Sequence, residues 1–216
     1  QLFREMAESR VERNAISYNA AVSACEKGGE WVKASELLVD MAAGRVEMDT
    51  ITYSAAVSAC EKHGKWQTVW TLLADMADCS VEMDTIIYNS AVSTCGKAEE
   101  WSRASDLLAD MAARIVEKST ITYGAAVSAC EKGGAWTLAL GLLADMAACH
   151  VKKNTITYNA AVSACAKRGE WAQVFSLLAD MTAHNVQMDT ITCSSAVSAC
   201  EKGGQWMRAL DLFADM

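Results

Sequence analysis

Residues 155–171 read TITYNAAVSACAKRGEW, and a closely similar stretch, ITYSAAVSACEKHGKW, occupies residues 51–66. The pattern returns every 35 residues, as from Trp31 to Trp66, with a methionine and a cysteine also in phase. The recurring tryptophans are Trp31, Trp66, Trp101, Trp136, Trp171 and Trp206. A fixed period of about 20–50 residues is typical of a solenoid, in which each unit buries its apolar face against its neighbours. The sequence therefore predicts a tandem array of structural repeats.

The composition describes a chain that can bury a substantial core, since 52% of its 216 residues are hydrophobic. No apolar run reaches the ~20 residues that a membrane-spanning helix needs. No signal or transit peptide is recognisable at the start of the sequence. Because Gln1 and Met216 both fall inside a repeat, we expect this chain to be a segment of a longer protein.

Nine cysteines occur, and six of them share one repeat position: Cys25, Cys60, Cys95, Cys130, Cys165 and Cys200. Neighbouring repeats of a solenoid lie about 10 Å apart, whereas a disulfide needs Cα atoms within about 7 Å. We therefore expect small buried thiols in a reducing compartment. No Cys-X-X-Cys pair occurs and the three histidines hold unrelated repeat positions, so we expect no metal site and no cofactor.

One unit, residues 15–49, shows how each repeat is built. Apolar side chains over residues 16–25 follow helical spacing and predict a first helix that ends before the glycine pair 28–29, where a turn with positive φ is expected. A second apolar stripe over residues 31–41 predicts a second helix, and a connector leads into the next copy. The predicted domain is a single array: partial repeat 1–14, repeats 15–49, 50–84, 85–119, 120–154 and 155–189, and partial repeat 190–216.

The stretches 155–171 and 51–66 are each followed by a Leu-Leu pair, Asp-Met and a final Asp or Asn. This pattern resembles the pentatricopeptide repeat family, and the resemblance covers the whole chain. The related tetratricopeptide repeat has an early Trp, Leu-Gly and Tyr pattern that is missing here. One departure is that the family usually has proline just before the last residue of a repeat, where this chain has Met48 and Met83 in its first two copies. The resemblance implies an all-α fold, a right-handed α-solenoid of tandem helix-turn-helix repeats.

The resemblance also implies a function, because the family binds single-stranded RNA at one nucleotide per repeat in organellar RNA processing, stability or translation. Base choice is attributed to the fifth and the last residue of each repeat. The fifth residues are Asn19, Ser54, Asn89, Gly124, Asn159 and Ser194, and the last residues are Asp49, Asp84, Ser119, Asn154 and Asp189. Carried over pair by pair, they predict the RNA core 5′-U-G-C-A-U-purine-3′.

Both positions can also be explained by helix chemistry. Asp, Ser and Asn are favoured N-cap residues, so capping of the following helix accounts equally well for the last residues. Capping does not account for the fifth residues, which lie inside the first helix, where Asn, Ser and Gly are poor helix formers. A variable and weakly helical site beside nearly constant neighbours indicates a contact with a ligand.

Two further positions are constant through the array. The second residue of every visible copy is isoleucine: Ile16, Ile51, Ile86, Ile121, Ile156 and Ile191. In the family this residue sandwiches a base between adjacent repeats, and core packing is the alternative explanation. Every first helix ends in lysine: Lys27, Lys62, Lys97, Lys132, Lys167 and Lys202. In the family this place meets the RNA backbone, but a cation at a helix C-terminus is also stabilising by itself, by ~0.3–1 kcal/mol.

The net charge of −8 argues against RNA binding, although many acidic residues recur on the second helix. An acidic helical solenoid also fits a scaffold for the protein subunits of a large organellar complex, and this alternative stays open. Paired carboxylates, nucleophile–base sets, phosphate loops and zinc spacings are missing, so we expect no catalysis. Localisation to the mitochondrion or plastid follows from the family resemblance alone.

Overall fold

The computed structural model describes residues 14–214, with side chains up to residue 210. The predicted partial repeat 1–14 therefore lies, apart from Asn14, outside the described residues. Within 14–214 the chain forms twelve α-helices and no strand. The helices are α1 (Ala15–Gly28), α2 (Trp31–Ala43), α3 (Thr50–Glu61), α4 (Trp66–Asp78), α5 (Thr85–Lys97), α6 (Trp101–Ala113), α7 (Thr120–Gly133), α8 (Trp136–Ala148), α9 (Thr155–Arg168), α10 (Trp171–Ala183), α11 (Thr190–Lys202) and α12 (Trp206–Ala214).

The helices alternate as first and second helix of each repeat, which confirms the predicted tandem hairpins. The chain divides into two compact units, Gln1–Thr94 and Cys95–Met216, and the boundary falls inside α5. In the first unit the first helix α1 packs against the next first helix, α3. In the second unit α9 packs in the same way against both α7 and α11. Each unit is therefore a stack of hairpins whose first helices are neighbours; that the whole chain is one array stays a prediction.

The first helix ends one residue later than predicted from the glycine pair. Gly28 is the last residue of α1, and only Gly29 leaves the helix, with φ +70°. The N–H of Gly29 then bonds to the carbonyl of Glu26 at 3.1 Å. A C-cap of this kind needs one left-handed residue, which glycine adopts without a steric penalty. Gly134 and Gly169 end α7 and α9 in the same way.

Each second helix from α2 to α10 is instead followed, two residues after its end, by a left-handed residue that is not glycine. Arg45, Ser80, Ile115, His150 and Asn185 have φ between +52° and +58°. The residue after each one bonds back to the helix, as Val46 does to the carbonyl of Met41 at 2.9 Å. These bonds satisfy carbonyls that would otherwise end the helix unpaired. They offset a conformational cost of roughly 1–2 kcal/mol for each non-glycine residue.

A tyrosine at the fourth position of the repeat joins the two helices of a hairpin. Tyr18 and Tyr158 are at most 2% exposed. Their hydroxyl groups donate to carboxylates on the second helix, to Asp40 at 2.7 Å and to Asp180 at 2.6 Å. Burial, together with the bond to Asp180, raises the pKa of Tyr158. The recurring acidic residue of the second helix is thus, in these repeats, an internal hydrogen-bond acceptor.

The recurring cysteines are free thiols, as expected. Cys60, Cys130 and Cys165 are buried, and burial raises the pKa of each to about 11. Cys25 departs from the pattern because it is only half-buried. The buried thiols therefore stay protonated at neutral pH and act as small apolar side chains.

The second helix begins with a tryptophan that packs on the following repeat rather than in the core. Trp101 is 39% exposed, so it is not part of the buried apolar stripe that the sequence predicts for this helix. It lies against Gly133, where an added Cβ atom would be 2.2 Å from the Cδ1 atom of the indole. Trp171 and Gly203 repeat this arrangement at 2.4 Å. Glycine is required at these places because the indole occupies the side-chain space.

We expect Gly133→Ala to lower the free energy of unfolding by about 1–3 kcal/mol, the usual cost of overpacking. Gly141→Ala is the matched control, since Gly141 lies inside α8 with nothing within 4 Å of its added Cβ. This control should raise stability by about 0.5–1 kcal/mol through helix propensity. Urea unfolding measures both changes; equal effects at the two sites would contradict the tryptophan contact.

Candidate nucleic-acid interface

The last residue of each repeat caps the first helix of the next repeat. The side chain of Asp49 accepts from the backbone N–H of Thr52 at 2.9 Å, and Asp189 accepts from Thr192 at the same distance. Asp84, Ser119 and Asn154 cap their helices in the same way, through Ile87, Thr122 and Thr157. The capping explanation of these residues is therefore confirmed, so a role in base choice must be additional to it.

In two repeats the capping carboxylate also holds the fifth residue of the preceding first helix. The amide nitrogen Nδ2 of Asn159 lies 3.0 and 2.9 Å from the two carboxylate oxygens of Asp189. The same pair in the first repeat, Asn19 and Asp49, is looser, at 3.4 and 3.3 Å. Because a carboxylate can only accept, it fixes which end of the amide is nitrogen. The structure thus brings together the two predicted base-selecting residues in these repeats.

A third side chain, which the sequence analysis missed, completes each of these pairs. The hydroxyl of Thr52 donates to the Oδ1 atom of Asn19 at 2.5 Å, and Thr192 donates to Asn159 at the same distance. Both hydroxyls also lie within 3.0 Å of the capping carboxylate. Thr52 and Thr192 are completely buried and occupy the third position of the following repeat. We call Asn, Asp and this Thr the amide clamp.

The aspartates of the clamp are ionised at neutral pH. Burial alone would raise the pKa of Asp49, but bonds from the Thr52 N–H, the Thr52 hydroxyl and the Asn19 amide outweigh it and lower the pKa. The Thr192 N–H is the largest cause of the lowered pKa of Asp189, with further help from the Thr192 hydroxyl and Asn159. A lowered pKa keeps each carboxylate ionised down to a pH below its ordinary titration range, so the acceptor of the clamp stays charged from mildly acidic to basic pH.

Three of the other fifth residues, Ser54, Gly124 and Ser194, carry no amide and so cannot form the clamp. Ser54 is half-buried, and no hydrogen bond joins it to Asp84 among the residues that the structure describes. Gly124 leaves an open space in which an added Cβ would meet only Thr157, at 3.7 Å. Ser194 turns its hydroxyl to the carbonyl of Ile191 at 3.1 Å. Asn89 lies half-buried in α5. The fifth position thus varies in size and polarity while its backbone environment stays constant.

The second-position isoleucines are exposed, so core packing does not explain them. The exposed fractions of the six side chains lie between 59% and 79%: Ile16, Ile51, Ile86, Ile121, Ile156 and Ile191. Each lies three residues before the fifth residue and so on the same face of its helix. The tyrosine two residues later, such as Tyr53 or Tyr158, is completely buried. A large apolar side chain is therefore held in solvent beside every fifth residue.

The lysines at the ends of the first helices are all exposed. Two of them bond to the preceding first helix: the Lys62 ammonium donates to the carbonyls of Glu26 and Lys27 at 2.7 and 2.9 Å. Lys167 donates to the carbonyl of Glu131 at 2.9 Å and lies 3.6 Å from its carboxylate. These bonds neutralise the negative end of a helix. An ammonium has three donors, so Lys62 keeps one for another ligand.

No group of three or more His, Cys, Asp or Glu side chains within the described range could hold a metal ion. None of the described helices is long and apolar enough to cross a membrane.

Three models of the same family match this chain. They are described as PPR repeat, pentatricopeptide repeat domain and PPR repeat family. The first matches residues 16–45, 51–81, 86–114 and 191–216, the second residues 106–168, and the third residues 153–202. A search of curated proteins found no match.

Solved structures with the same fold match at low sequence identity. The crystal structure of the pentatricopeptide repeat protein PPR10 from maize has 22% identity and a TM-score of 0.72, covering 100% of this chain and 31% of its own. The structure of PPR10 in complex with an 18-nucleotide psaJ RNA element has 23% sequence identity and a TM-score of 0.76. This match covers 97% of the present chain and 30% of the PPR10 chain. The PPR domain of Arabidopsis thaliana protein-only RNase P 1, in complex with tRNA, has 15% sequence identity and a TM-score of 0.63. This match covers 74% of the present chain and 86% of that domain's chain.

The chain spans about a third of the length of the maize protein, at 31%. These likenesses show the fold, an α-solenoid of helical hairpins. The repeat family model matches more than half of the sequence by itself, in four segments that follow the repeats. This chain belongs to the pentatricopeptide repeat family.

Proposed function

We propose that this chain binds single-stranded RNA, one nucleotide per repeat, and selects bases without catalysing a reaction. The observation that carries the proposal is the amide clamp beside exposed isoleucine. Asn159 is held at a fixed orientation, while Ile156 on the same helix face is 70% exposed. Apolar side chains in solvent beside an oriented amide suit a ligand that has both an apolar face and a hydrogen-bonding edge, as a nucleobase has.

The clamp leaves part of the asparagine amide free for a base. An amide has two N–H protons and an oxygen with two lone pairs. In Asn159 one proton is donated to Asp189 and one lone pair accepts from Thr192. Because the Thr192 hydroxyl lies 3.0 Å from the Asp189 carboxylate, both groups bind the same edge of the amide, and the proton and lone pair that point away from this edge remain for the RNA. Following the family's pairing of the fifth and last residues, we assign U to the Asn19–Asp49 and Asn159–Asp189 pairs.

The other pairs complete the proposed RNA core. Ser54 with Asp84 leaves room for a purine and is assigned G, and Asn89 with Ser119 is assigned C. Gly124 with Asn154 is assigned A, and Ser194 a purine. The proposed order is 5′-U-G-C-A-U-purine-3′, with bases held between successive isoleucines. The solved complexes of PPR10 with an RNA element and of the RNase P 1 domain with tRNA support RNA as the ligand.

Backbone attraction contributes little to the proposed affinity. The net charge is −8, and two of the lysines in the predicted phosphate row already bond to helix carbonyls. Base stacking on side chains, at about 1–3 kcal/mol per base, therefore supplies most of the binding energy. A role in organellar RNA processing, stability or translation, in the mitochondrion or plastid, follows from family membership and is part of the proposal.

A scaffold for protein subunits of an organellar complex is the second candidate, favoured by the acidic surface. Fluorescence anisotropy with labelled RNA containing UGCAUA separates the two. We expect tighter binding to this RNA than to a scrambled RNA of equal composition, at both low and moderate salt. Absence of binding at low salt would contradict RNA recognition and favour the scaffold. Equal binding to both RNAs would contradict the base assignment.

We expect Asn19→Ser to shift the preferred first nucleotide from U to G by about tenfold, equivalent to ~1.4 kcal/mol. Serine removes the amide that reads the pyrimidine edge and leaves room for a purine. Asn159→Ser is the matched variant, and it should shift only the fifth nucleotide. Anisotropy against RNAs that vary one position at a time measures both. An unchanged preference at the first nucleotide would refute the assignment of Asn19.

Replacing the six first-helix lysines by Gln should flatten the salt dependence of binding by up to ~4 log–log units, at about 0.7 per phosphate contact. Lys33→Gln with Arg103→Gln, both on second helices, is the control and should leave the slope unchanged. Binding isotherms at several salt concentrations measure the slope. A wild-type slope near zero would show that the lysines do not contact phosphates.

A further inference from the structure

The cationic side chains at the ends of the first helices are not equivalent. In the first compact unit Lys62 and His63 follow α3, and both bond to the end of α1. The Lys62 ammonium donates to the carbonyls of Glu26 and Lys27 at 2.7 and 2.9 Å. The Nε2 atom of His63 lies 2.9 Å from the carbonyl oxygen of Gly29. Both side chains are therefore engaged by carbonyls at the negative end of the preceding helix.

The equivalent pair in the second unit, Lys167 and Arg168 at the end of α9, is divided between two roles. Lys167 bonds to the carbonyl of Glu131 at 2.9 Å, as Lys62 does to its own preceding helix. Arg168 lies across Gly134, the left-handed cap of α7, with Nη2 and Nε 3.7 and 3.9 Å from the point where a Cβ of Gly134 would be. Among the described residues Arg168 is exposed and makes no hydrogen bond or ion pair. It therefore brings an unpaired charge to the end of the preceding first helix.

A second unpaired cation, Lys132, lies on that same helix end. It is exposed, comes two residues before Gly134, and has no hydrogen bond or ion pair in the part of the chain that the structure describes. The sequence of the preceding repeat gives the reason. Lys167 lies 3.6 Å from the carboxylate of Glu131, whereas the residue at the same repeat position one copy earlier is Gly96, which has no carboxylate for Lys132.

The nearest carboxylates do not neutralise these two cations. Glu131 accepts from the hydroxyl of Ser163 at 2.8 Å and is already paired with Lys167. Glu170 is two residues from Arg168 in the chain but forms no ion pair with it in the described structure. Two neighbouring exposed cations without a carboxylate partner suit an anionic ligand. They contrast with the net charge of −8 of the whole chain.

We propose that Lys132 and Arg168 together bind one phosphate of the RNA, at the junction between repeats 120–154 and 155–189. The oxygens of a phosphodiester accept from a guanidinium fork and from an ammonium, and both bonds are charge-assisted. Because these two repeats are assigned the fourth and fifth nucleotides, the phosphate is the one that joins those nucleotides. This inference rests on the proposed RNA-binding function. It adds Arg168, which lies outside the row of six lysines, and makes the contributions of that row unequal.

The test uses the whole chain and RNAs containing UGCAUA in which one phosphate at a time is replaced by an uncharged methylphosphonate. We expect the largest loss of affinity, about three- to tenfold, when the linkage between the fourth and fifth nucleotides is neutral. The log–log salt slope should then fall by about 0.7. Neutralising the linkage between the first and second nucleotides should cost less, because Lys62 and His63 at that junction bond to carbonyls. Equal losses at all linkages would overturn the proposal.

Arg168→Gln should weaken binding of the unmodified RNA by a similar factor and show no further loss when the fourth linkage is neutral. Arg168→Lys keeps the charge without the planar fork and should recover part of the affinity. Lys167→Gln is the matched control, since it removes the same charge one residue away from a side chain that is already bonded to Glu131. It should leave the effect of the neutral linkage unchanged. If the neutral linkage costs Arg168→Gln as much as it costs the wild type, the proposal is wrong.

The same measurements separate failure of this site from failure of the proposed function. A wild-type chain that prefers UGCAUA to a scrambled RNA but is indifferent to the fourth linkage keeps the RNA-binding function and overturns this site alone. A wild-type chain that binds no RNA at low salt overturns the function itself. Binding of an acidic peptide that is lost in Arg168→Gln would then assign the two cations to a protein partner, against this proposal.

Discussion

The capping bond at the junction between repeats is the interaction on which both the fold and the proposed site depend. At each junction a polar side chain accepts the N–H of the third residue of the next first helix, as Asp49 does from Thr52. An unsatisfied helix N-terminus would cost free energy at every repeat, and N-cap bonds are worth about 1 kcal/mol each. Because the cap lies between two first helices, its second oxygen and its neighbours can also orient a side chain of the preceding repeat. Helix capping and the proposed recognition of RNA therefore depend on the same atoms in the clamped repeats.

The other contacts within the repeat leave one face of the first helix exposed to solvent. Tyr158 bonds to Asp180 across the hairpin, so the two helices of a repeat are joined on the side away from the exposed Ile156. The exposed Ile156 is consequently only two residues from the completely buried Tyr158. In two repeats the tryptophan that begins the second helix packs on a glycine of the next repeat, Trp101 on Gly133 and Trp171 on Gly203. Side chains on the exposed face of the first helix can then vary in size without disturbing the core.

Much of this could be predicted from the sequence, because a 35-residue period repeats each local signal several times. The hairpins, the helix starts at Trp31 and its equivalents, and the buried thiols all follow from apolar spacing. The predicted end of α1 is one residue early, because either glycine of the pair could serve as the left-handed cap. Isoleucine at the second position could not be assigned to core or surface, because its helix is apolar nearly all round and only packing decides which side is buried.

Two features could not be predicted from the sequence: the left-handed residues after the second helices and the threonine of the clamp. The left-handed Arg45 and Ile115 are not residues that favour this conformation, and only the bonds of the following residue to the helix show why they adopt it. The threonine of the clamp was missed because Thr at the third position of a helix is sufficiently explained by capping. Its second bond joins residues 33 apart, a separation at which one-repeat patterns carry no information. A site built from two adjacent repeats becomes visible only when the repeats are stacked.

The acidic composition is consistent with carboxylates that act mainly as internal hydrogen-bond acceptors. Asp49 and Asp189 each accept from the N–H of a threonine and the amide of an asparagine, and these bonds contribute to the lowered pKa of both carboxyl groups. Asp180 likewise accepts from Tyr158 and from Lys153. Carboxylates that are neutralised by internal donors repel a phosphate backbone less than free ones at the same distance. A chain of net charge −8 can thus present a polar, nearly neutral face to single-stranded RNA, provided that stacking rather than charge supplies the binding energy.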